Sequence, residues 1–142
     1  MLKHALAMSI ICIFSSSCNT DQSKRKEIMD RIYSEIQLPV GSAEKDQYSQ
    51  YYSYVDDEWI SGVYIIYDEN VRDLAKAACK EVGVEGYPCN REDAGIIDAG
   101  DKLWVGSYND LPTRDGGGCS FVKFTYNSST GRYTELECNF DH

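Results

Sequence analysis

The chain has 142 residues and carries 23 aspartates and glutamates against 14 lysines and arginines, which gives a formal net charge of −9. A field of that sign repels nucleic-acid phosphates, and no basic stripe offsets it, so we expect no nucleic-acid partner. The length suits a single domain with one hydrophobic core.

The first 17 residues have the layout of an export signal. Lys3 supplies a positive start, residues 5–14 form an apolar run, and residues 15–17 are the small residues that precede a cleavage site. An apolar run of this length is too short to cross a bilayer, which takes about 20 residues. We therefore predict that residues 1–17 are a signal peptide.

The small residues followed by Cys18 resemble a bacterial lipoprotein signal. The resemblance implies that Cys18 is lipidated on its sulfur and becomes the mature N-terminus, with residues 18–22 as a lipid-anchored tether. Asn19, directly after the cysteine, implies transport to the outer membrane, where the protein would face the periplasm. The alternative is an ordinary secretory signal, with Cys18 free or paired.

An apolar stripe at helical spacing begins the folded part. Ile28, Ile32 and Ile36 are four residues apart, which predicts a helix over residues 23–36 that buries one face. Ser23 is placed to cap its start. Pro39 and Gly41 follow it, and both residue types end helices.

Two segments rich in tyrosine, valine and isoleucine, residues 47–55 and 59–68, predict a β-hairpin around the acidic sequence DDE. Side chains alternate along a strand, so Tyr48, Tyr52 and Tyr54 share one face and Tyr51 lies on the other. One interpretation is an aromatic and acidic binding surface; the other is that one tyrosine face packs in the core. The candidate binding residues are Tyr48, Tyr51, Tyr52, Tyr54, Asp56, Asp57 and Glu58.

The clearest amphipathic pattern in the chain predicts a helix over Val71 to Val82, with Asp68 as its cap and Gly83 at its end. We expect its apolar face to pack on the sheet. Residues 94–98 and 102–108 then predict two short strands joined by a turn.

Residues 119–126 and 132–140 predict a second hairpin around NSSTG. We expect Cys119 to lie opposite Cys138 in this hairpin. The same register would place Phe121 opposite Leu136 on one face.

Cysteine usage also indicates export. Cys12 lies in the signal and Cys18 would carry lipid. Four cysteines remain, Cys79, Cys89, Cys119 and Cys138, and an even number suits disulfide formation in an oxidising compartment. Four cysteines can form two disulfides in three ways, and we favour Cys79–Cys89 and Cys119–Cys138 because these bonds close short loops. Zinc is the competing interpretation, but no CxxC pair or suitably spaced histidine accompanies these cysteines, so we expect no metal site.

The sequence lacks a recognisable catalytic motif. Its histidines are His4, in the signal, and His142, the last residue, so a histidine-based triad or zinc site is not expected. No nucleotide-binding glycine pattern occurs, and we expect no cofactor. Carboxylates remain as catalytic candidates, because a glycosidase needs only two. The acidic residues at predicted strand ends are Asp56, Asp57, Glu58, Asp98 and Asp101.

These observations predict a single α+β domain over residues 23–142, with an antiparallel sheet of five or six strands, one amphipathic helix packed on it and an additional N-terminal helix. They favour a non-enzymatic cell-envelope lipoprotein that contacts the membrane through its lipid alone and binds a basic protein partner. An inhibitor or immunity protein against a cationic hydrolase would fit. The alternatives are a carboxylate-dependent hydrolase of cell-wall glycan and a structural envelope component.

Overall fold

The computed structural model of the chain describes residues 15–70 and 96–140. Within these ranges a long helix is followed by five strands and two short 3-10 helices, Lys45–Gln47 and Tyr108–Asp110. The helix and strands are α1 (Ser15–Glu35), β1 (Ser49–Tyr54), β2 (Trp59–Ile65), β3 (Lys102–Trp104), β4 (Gly118–Asn127) and β5 (Arg132–Asn139). Among the described residues, no helix has the length and apolar character needed to cross a membrane.

Helix α1 buries the predicted stripe but begins earlier than predicted. Ile28, Ile32 and Ile36 are all buried, and the helix ends before Pro39 as expected. Ser23 is not the cap, because residues 15–22 are already helical. No glycine or proline interrupts this segment, and Asp21 pairs with Arg25 at 2.7 Å one turn later. The predicted tether, residues 18–22, is therefore part of the helix.

The five strands form one sheet in the order β3-β1-β2-β4-β5. The predicted α+β class is confirmed, but the sheet is mixed rather than antiparallel, because β3 runs parallel to β1. The other three pairings are antiparallel, and β2 lies between β1 and β4. One edge of β2 is paired with β1 and the other with β4, so β3 pairs with the free edge of β1. Strand β2 ends beside the start of β1, where Ile65 pairs with Ser49, and β3 begins at that same end, where Lys102 pairs with Gln50, so β3 runs in the direction of β1.

Each face of the sheet carries a buried apolar cluster. The inner face, which packs against α1, contributes Tyr48, Tyr52, Ile60, Tyr64, Val122, Phe124, Tyr126 and Cys138. On the opposite, outer face a smaller cluster joins strand residues to Ile97 and Leu111. Both faces of β1 and β2 are therefore largely buried.

The first predicted hairpin is confirmed, whereas the short strands after residue 94 are only partly found. Strands β1 and β2 pair from Ser49 with Ile65 to Tyr54 with Ile60. Of the segment 102–108, only Lys102–Trp104 is a strand, and residues 96–98 are not in a strand. The Oδ1 atom of Asp68 accepts a hydrogen bond from the backbone N–H of Asn70 at 2.8 Å, where the predicted second helix would start. The rest of that helix and the predicted Cys79–Cys89 bond lie outside the described residues.

The second hairpin carries the predicted Cys119–Cys138 disulfide. Its register differs from the prediction, since Val122 rather than Cys119 is the strand partner of Cys138. Two irregularities shift the pairs: an extra residue in β5 near Glu135, which has a φ of 56°, and a larger one in β4 between Gly118 and Val122. Phe121, which pairs with Ile65 on β2, joins the outer cluster, whereas Leu136 packs on the inner one.

Candidate functional site

Three of the four predicted binding tyrosines lie in the interior. Tyr48, Tyr51 and Tyr52 are each at most 1% exposed, because both faces of β1 are covered. A binding partner cannot reach these rings in this fold. The interpretation of an exposed tyrosine surface is therefore wrong for these three residues, and the core interpretation holds.

The hydroxyl groups of these tyrosines are satisfied inside the protein. The Tyr52 hydroxyl donates to Oε1 of Gln50 at 2.9 Å and lies 2.8 Å from the Tyr64 hydroxyl. Burial, together with the neighbouring Tyr64, raises the pKa of Tyr52 well above its ordinary value, and burial likewise raises the pKa of Tyr64. The Tyr48 hydroxyl donates to the Cys119 carbonyl and accepts from the Ala43 N–H. These groups stabilise the fold and are not a reactive site.

The acidic turn between β1 and β2 is exposed and well ordered by hydrogen bonds. The Oδ1 atom of Asp56 accepts from the backbone N–H groups of Glu58, at 2.9 Å, and Trp59, at 2.8 Å. The Glu58 carbonyl accepts from the N–H and hydroxyl of Ser128 in the β4–β5 turn. The two turns are thus tied together, and the side chains of Asp57 and Glu58 remain exposed.

Tyr54, the fourth predicted tyrosine, lies at the inner side of this turn. It is half-buried, and its ring centroid is 4.6 Å from that of Trp104. With Asp57 it lines a cleft of about 260 Å³ against the α1 residues Lys24, Glu27 and Arg31. Tyr54 and Asp57 therefore belong to the α1 side of the turn.

On the outer side of the same turn, an exposed apolar surface was missed by the sequence prediction. Val55 is 50% exposed and Tyr108 54% exposed, and both line one cleft with the half-buried Trp59. We name these three residues the anchor patch. Their cleft has a volume of about 300 Å³ and is completed by Thr125, Thr134 and Glu135. Alternation along the strands places Val55 and Trp59 on one face, but Tyr108 reaches them only through tertiary folding.

Tyr108 also borders a second outer cleft of about 320 Å³. Its floor includes Val63, Leu111 and Phe121 of the outer cluster, and its polar lining includes the cations Arg114 and Lys123. We name it the basic cleft. It lies on the same face as the anchor patch, so Tyr108 separates two adjacent depressions of different character.

The candidate catalytic carboxylates lie mostly at the protein surface. Asp56, Asp57, Glu58 and Asp101 are exposed, and Asp98 is half-buried. Hydrogen bonds from Lys102 and Lys26 lower the pKa of Asp30 on α1, which is not one of these candidates. Within the described residues, no three histidine, cysteine, aspartate or glutamate side chains form a group able to hold a metal ion.

Comparisons with protein-family models, with curated proteins and with solved structures gave no match for this chain.

Proposed function

We propose that this protein is a cell-envelope lipoprotein that binds a basic protein, in the manner of an inhibitor or immunity protein directed against a cationic hydrolase. The observation that carries the proposal is the anchor patch beside the acidic turn. Aromatic side chains that are partly exposed at a polar rim are the usual anchors of protein interfaces. A chain with a net charge of −9 attracts a cationic partner before contact.

The two features have separate roles in this proposal. Asp57 and Glu58 are exposed, so their charges are screened and contribute to the association rate more than to the final affinity. Trp59 and Tyr108 would become buried on binding and would contribute most of the affinity. The hydrogen bonds of Asp56 hold the turn in one conformation, which lowers the entropy lost when a partner binds.

Lipidation at Cys18 would hold the folded domain close to a membrane. Ile28 follows Cys18 by ten positions and is the first buried residue of α1 among those whose burial the structure describes. At a rise of about 1.5 Å per residue, a helical connection of this length spans about 15 Å. The disulfide between Cys119 and Cys138 suits the oxidising compartment that export implies.

A glycan hydrolase is less well supported. Catalytic carboxylates usually need burial or a close charged partner to separate their pKa values, and those of the acidic turn are exposed. Asp56 also accepts two backbone hydrogen bonds in the turn, which gives it a structural role.

The first test is affinity capture from envelope and secreted fractions with the oxidised protein, at low and high salt. We expect one basic protein, bound in equal stoichiometry and released by salt. Retention of glycan alone, or a bound protein whose association rate does not change with salt, would contradict the proposal.

Substitutions then test which residues form the surface that binds the captured protein. Trp59→Ala should weaken binding of the captured protein by about tenfold or more, mainly through faster dissociation. The pair Asp57→Asn and Glu58→Gln should slow association and reduce its salt dependence. The matched control, Glu44→Gln with Asp46→Asn, removes two exposed charges elsewhere. It should change the association rate and its salt dependence much less.

The lipid is tested separately by Cys18→Ser. We expect the variant to lose its acyl mass and to leave the membrane fraction while it still binds the captured protein. Unchanged membrane fractionation would show that Cys18 is not the anchor.

A further inference from the structure

The basic cleft differs in charge from the molecule around it. The chain as a whole has an excess of acidic residues, but the residues that line this cleft include two cations and no carboxylate. The remaining polar groups are neutral amides and hydroxyls, including Asn109, Asn139 and Ser61. A cleft of this composition favours an anionic ligand with hydrogen-bonding groups.

Arg114 is held in place on one side of the cleft. Its Nη1 atom donates to the Ile66 carbonyl at 3.3 Å and to the Ser120 hydroxyl at 3.2 Å. Its own carbonyl and that of Gly116 both accept from Nδ2 of Asn139 on β5. These bonds fix the loop and one arm of the guanidinium, and they do not use its Nε or Nη2 donors.

Lys123 faces the cleft from β4, on the outer face of the sheet. Its ammonium pairs with Glu137 at 3.1 Å, and both side chains are about half exposed. An ammonium has three donors, so this single ion pair leaves others for a ligand. An exposed pair of this kind is weak and can rearrange when an anion binds.

We propose that the basic cleft binds the carboxylate of a small polar molecule, with Arg114 and Lys123 as its charged partners and Tyr108 as an aromatic wall. A guanidinium forms two parallel hydrogen bonds to a carboxylate, which an amide cannot reproduce. The volume of about 320 Å³ suits a ligand the size of a dipeptide end or a sugar acid. This site is distinct from the anchor patch and goes beyond the proposed protein binding.

The proposal is tested by NMR titration of the isotope-labelled, oxidised full chain with two matched pairs of probes. The first pair is N-acetyl-alanyl-alanine and its C-terminal amide, and the second is glucuronate and glucose. We expect the acids, but not their neutral partners, to shift the amide signals of Asn109, Thr113 and Arg114. Binding of the peptide acid alone or of glucuronate alone would support the site and identify the source of the carboxylate.

Arg114→Gln and Lys123→Gln should each weaken binding of the acids by about tenfold. The control Arg132→Gln removes an exposed cation at the start of β5, outside the cleft, and should leave binding unchanged within about twofold. Arg114→Gln could also weaken binding by loosening its own loop. Lys123 lies on β4, so Lys123→Gln tests the charge of the cleft without that effect. Absence of binding at millimolar concentrations, equal shifts with the neutral probes, or equal weakening in the control would overturn the proposal.

Discussion

At the residue scale, Gly62 has the least room for a side chain among the glycines that the structure describes. It pairs with Phe124 across β2 and β4, and a β-carbon at Gly62 would overlap Cζ of that ring and lie 2.6 Å from Cε2. The ring of Phe124 is buried and in contact with Tyr52 and Tyr64, so it cannot move aside easily. The sequence pattern alone gives no sign of this contact.

Gly62→Ala should therefore destabilise the protein by about 1–3 kcal/mol through overpacking. Denaturant unfolding of the variant measures this change. The control is Gly106→Ala, because among the described atoms a β-carbon there would meet only the Asp110 carboxylate, at 3.9 Å. Equal stability of the two variants would contradict the predicted clash.

The hydroxyl pair of Tyr52 and Tyr64 gives a second residue-scale prediction. Tyr52→Phe removes the donor to Gln50 and leaves that buried amide oxygen without this bond, at a cost of about 1–3 kcal/mol. Tyr64→Phe removes one partner of Tyr52 and should cost less. A double-mutant cycle of unfolding free energies should show coupling between the two positions, and simple additivity would count against the hydrogen bond.

The raised tyrosine pKa values also predict alkaline sensitivity. Tyrosine in the unfolded chain titrates near its ordinary pKa of 10.0, whereas burial keeps Tyr52 and Tyr64 protonated in the folded state at higher pH. Their contribution to stability is therefore complete below about pH 10 and is lost as the pH rises further. Unfolding free energies measured from about pH 8 to 11.5 should fall above pH 10, and less steeply in the double phenylalanine variant. An equal pH dependence of the unfolding free energy in the parent and the double variant would contradict a role for Tyr52 and Tyr64 in this loss of stability.

At the element scale, α1 is attached to the sheet by its apolar face and by charges at the edge of that face. Asp30 accepts from Lys26 on the same helix at 2.7 Å and from Lys102 on β3 at 2.8 Å. The Lys102 ammonium also lies 4.3 Å from the ring centroid of Tyr33. The helix period predicted the buried isoleucines, but only the docking of α1 against β3 brings Lys102 to Asp30.

Asp30→Asn should destabilise the protein by less than about 1 kcal/mol, because the aspartate is half exposed. The lowered pKa of Asp30 means that its contribution is present above its ordinary pKa of 3.8 and is lost as the pH falls below it. Acid titrations of unfolding free energy should therefore converge for the variant and the parent. Glu27→Gln on the same helix is the control, and an equal effect of both changes would argue against the Asp30 ion pairs.

At the scale of the whole molecule, we predict two disulfides, Cys119–Cys138 and Cys79–Cys89. Reduction adds two hydrogens per bond, so intact mass should rise by four hydrogens, and peptide mapping should yield Cys119–Cys138 and Cys79–Cys89. Replacing Cys119 and Cys138 by serine should lower the free energy of unfolding by about 3 kcal/mol, given their separation of 19 residues. A rise of two hydrogens would leave only one bond and contradict the second pairing.

Local sequence signals determined much of this protein. The spacing of Ile28, Ile32 and Ile36 predicted the buried face of α1, and the acidic and NSSTG turns predicted both hairpins. Hairpin signals work because the turn residues and the alternation of the two flanking strands are both local in sequence. The short cysteine separation similarly favoured the Cys119–Cys138 bond.

Tertiary structure decided the features that depend on distant residues. The parallel edge strand β3, the burial of both faces of β1 and the bulge at Glu135 depend on which surfaces are covered after folding. For the same reason three candidate tyrosines became core residues, while Tyr108 joined Val55 and Trp59 from a loop about fifty residues away. Alternation states which side chains share a face, but only the packed fold decides which face remains in contact with water.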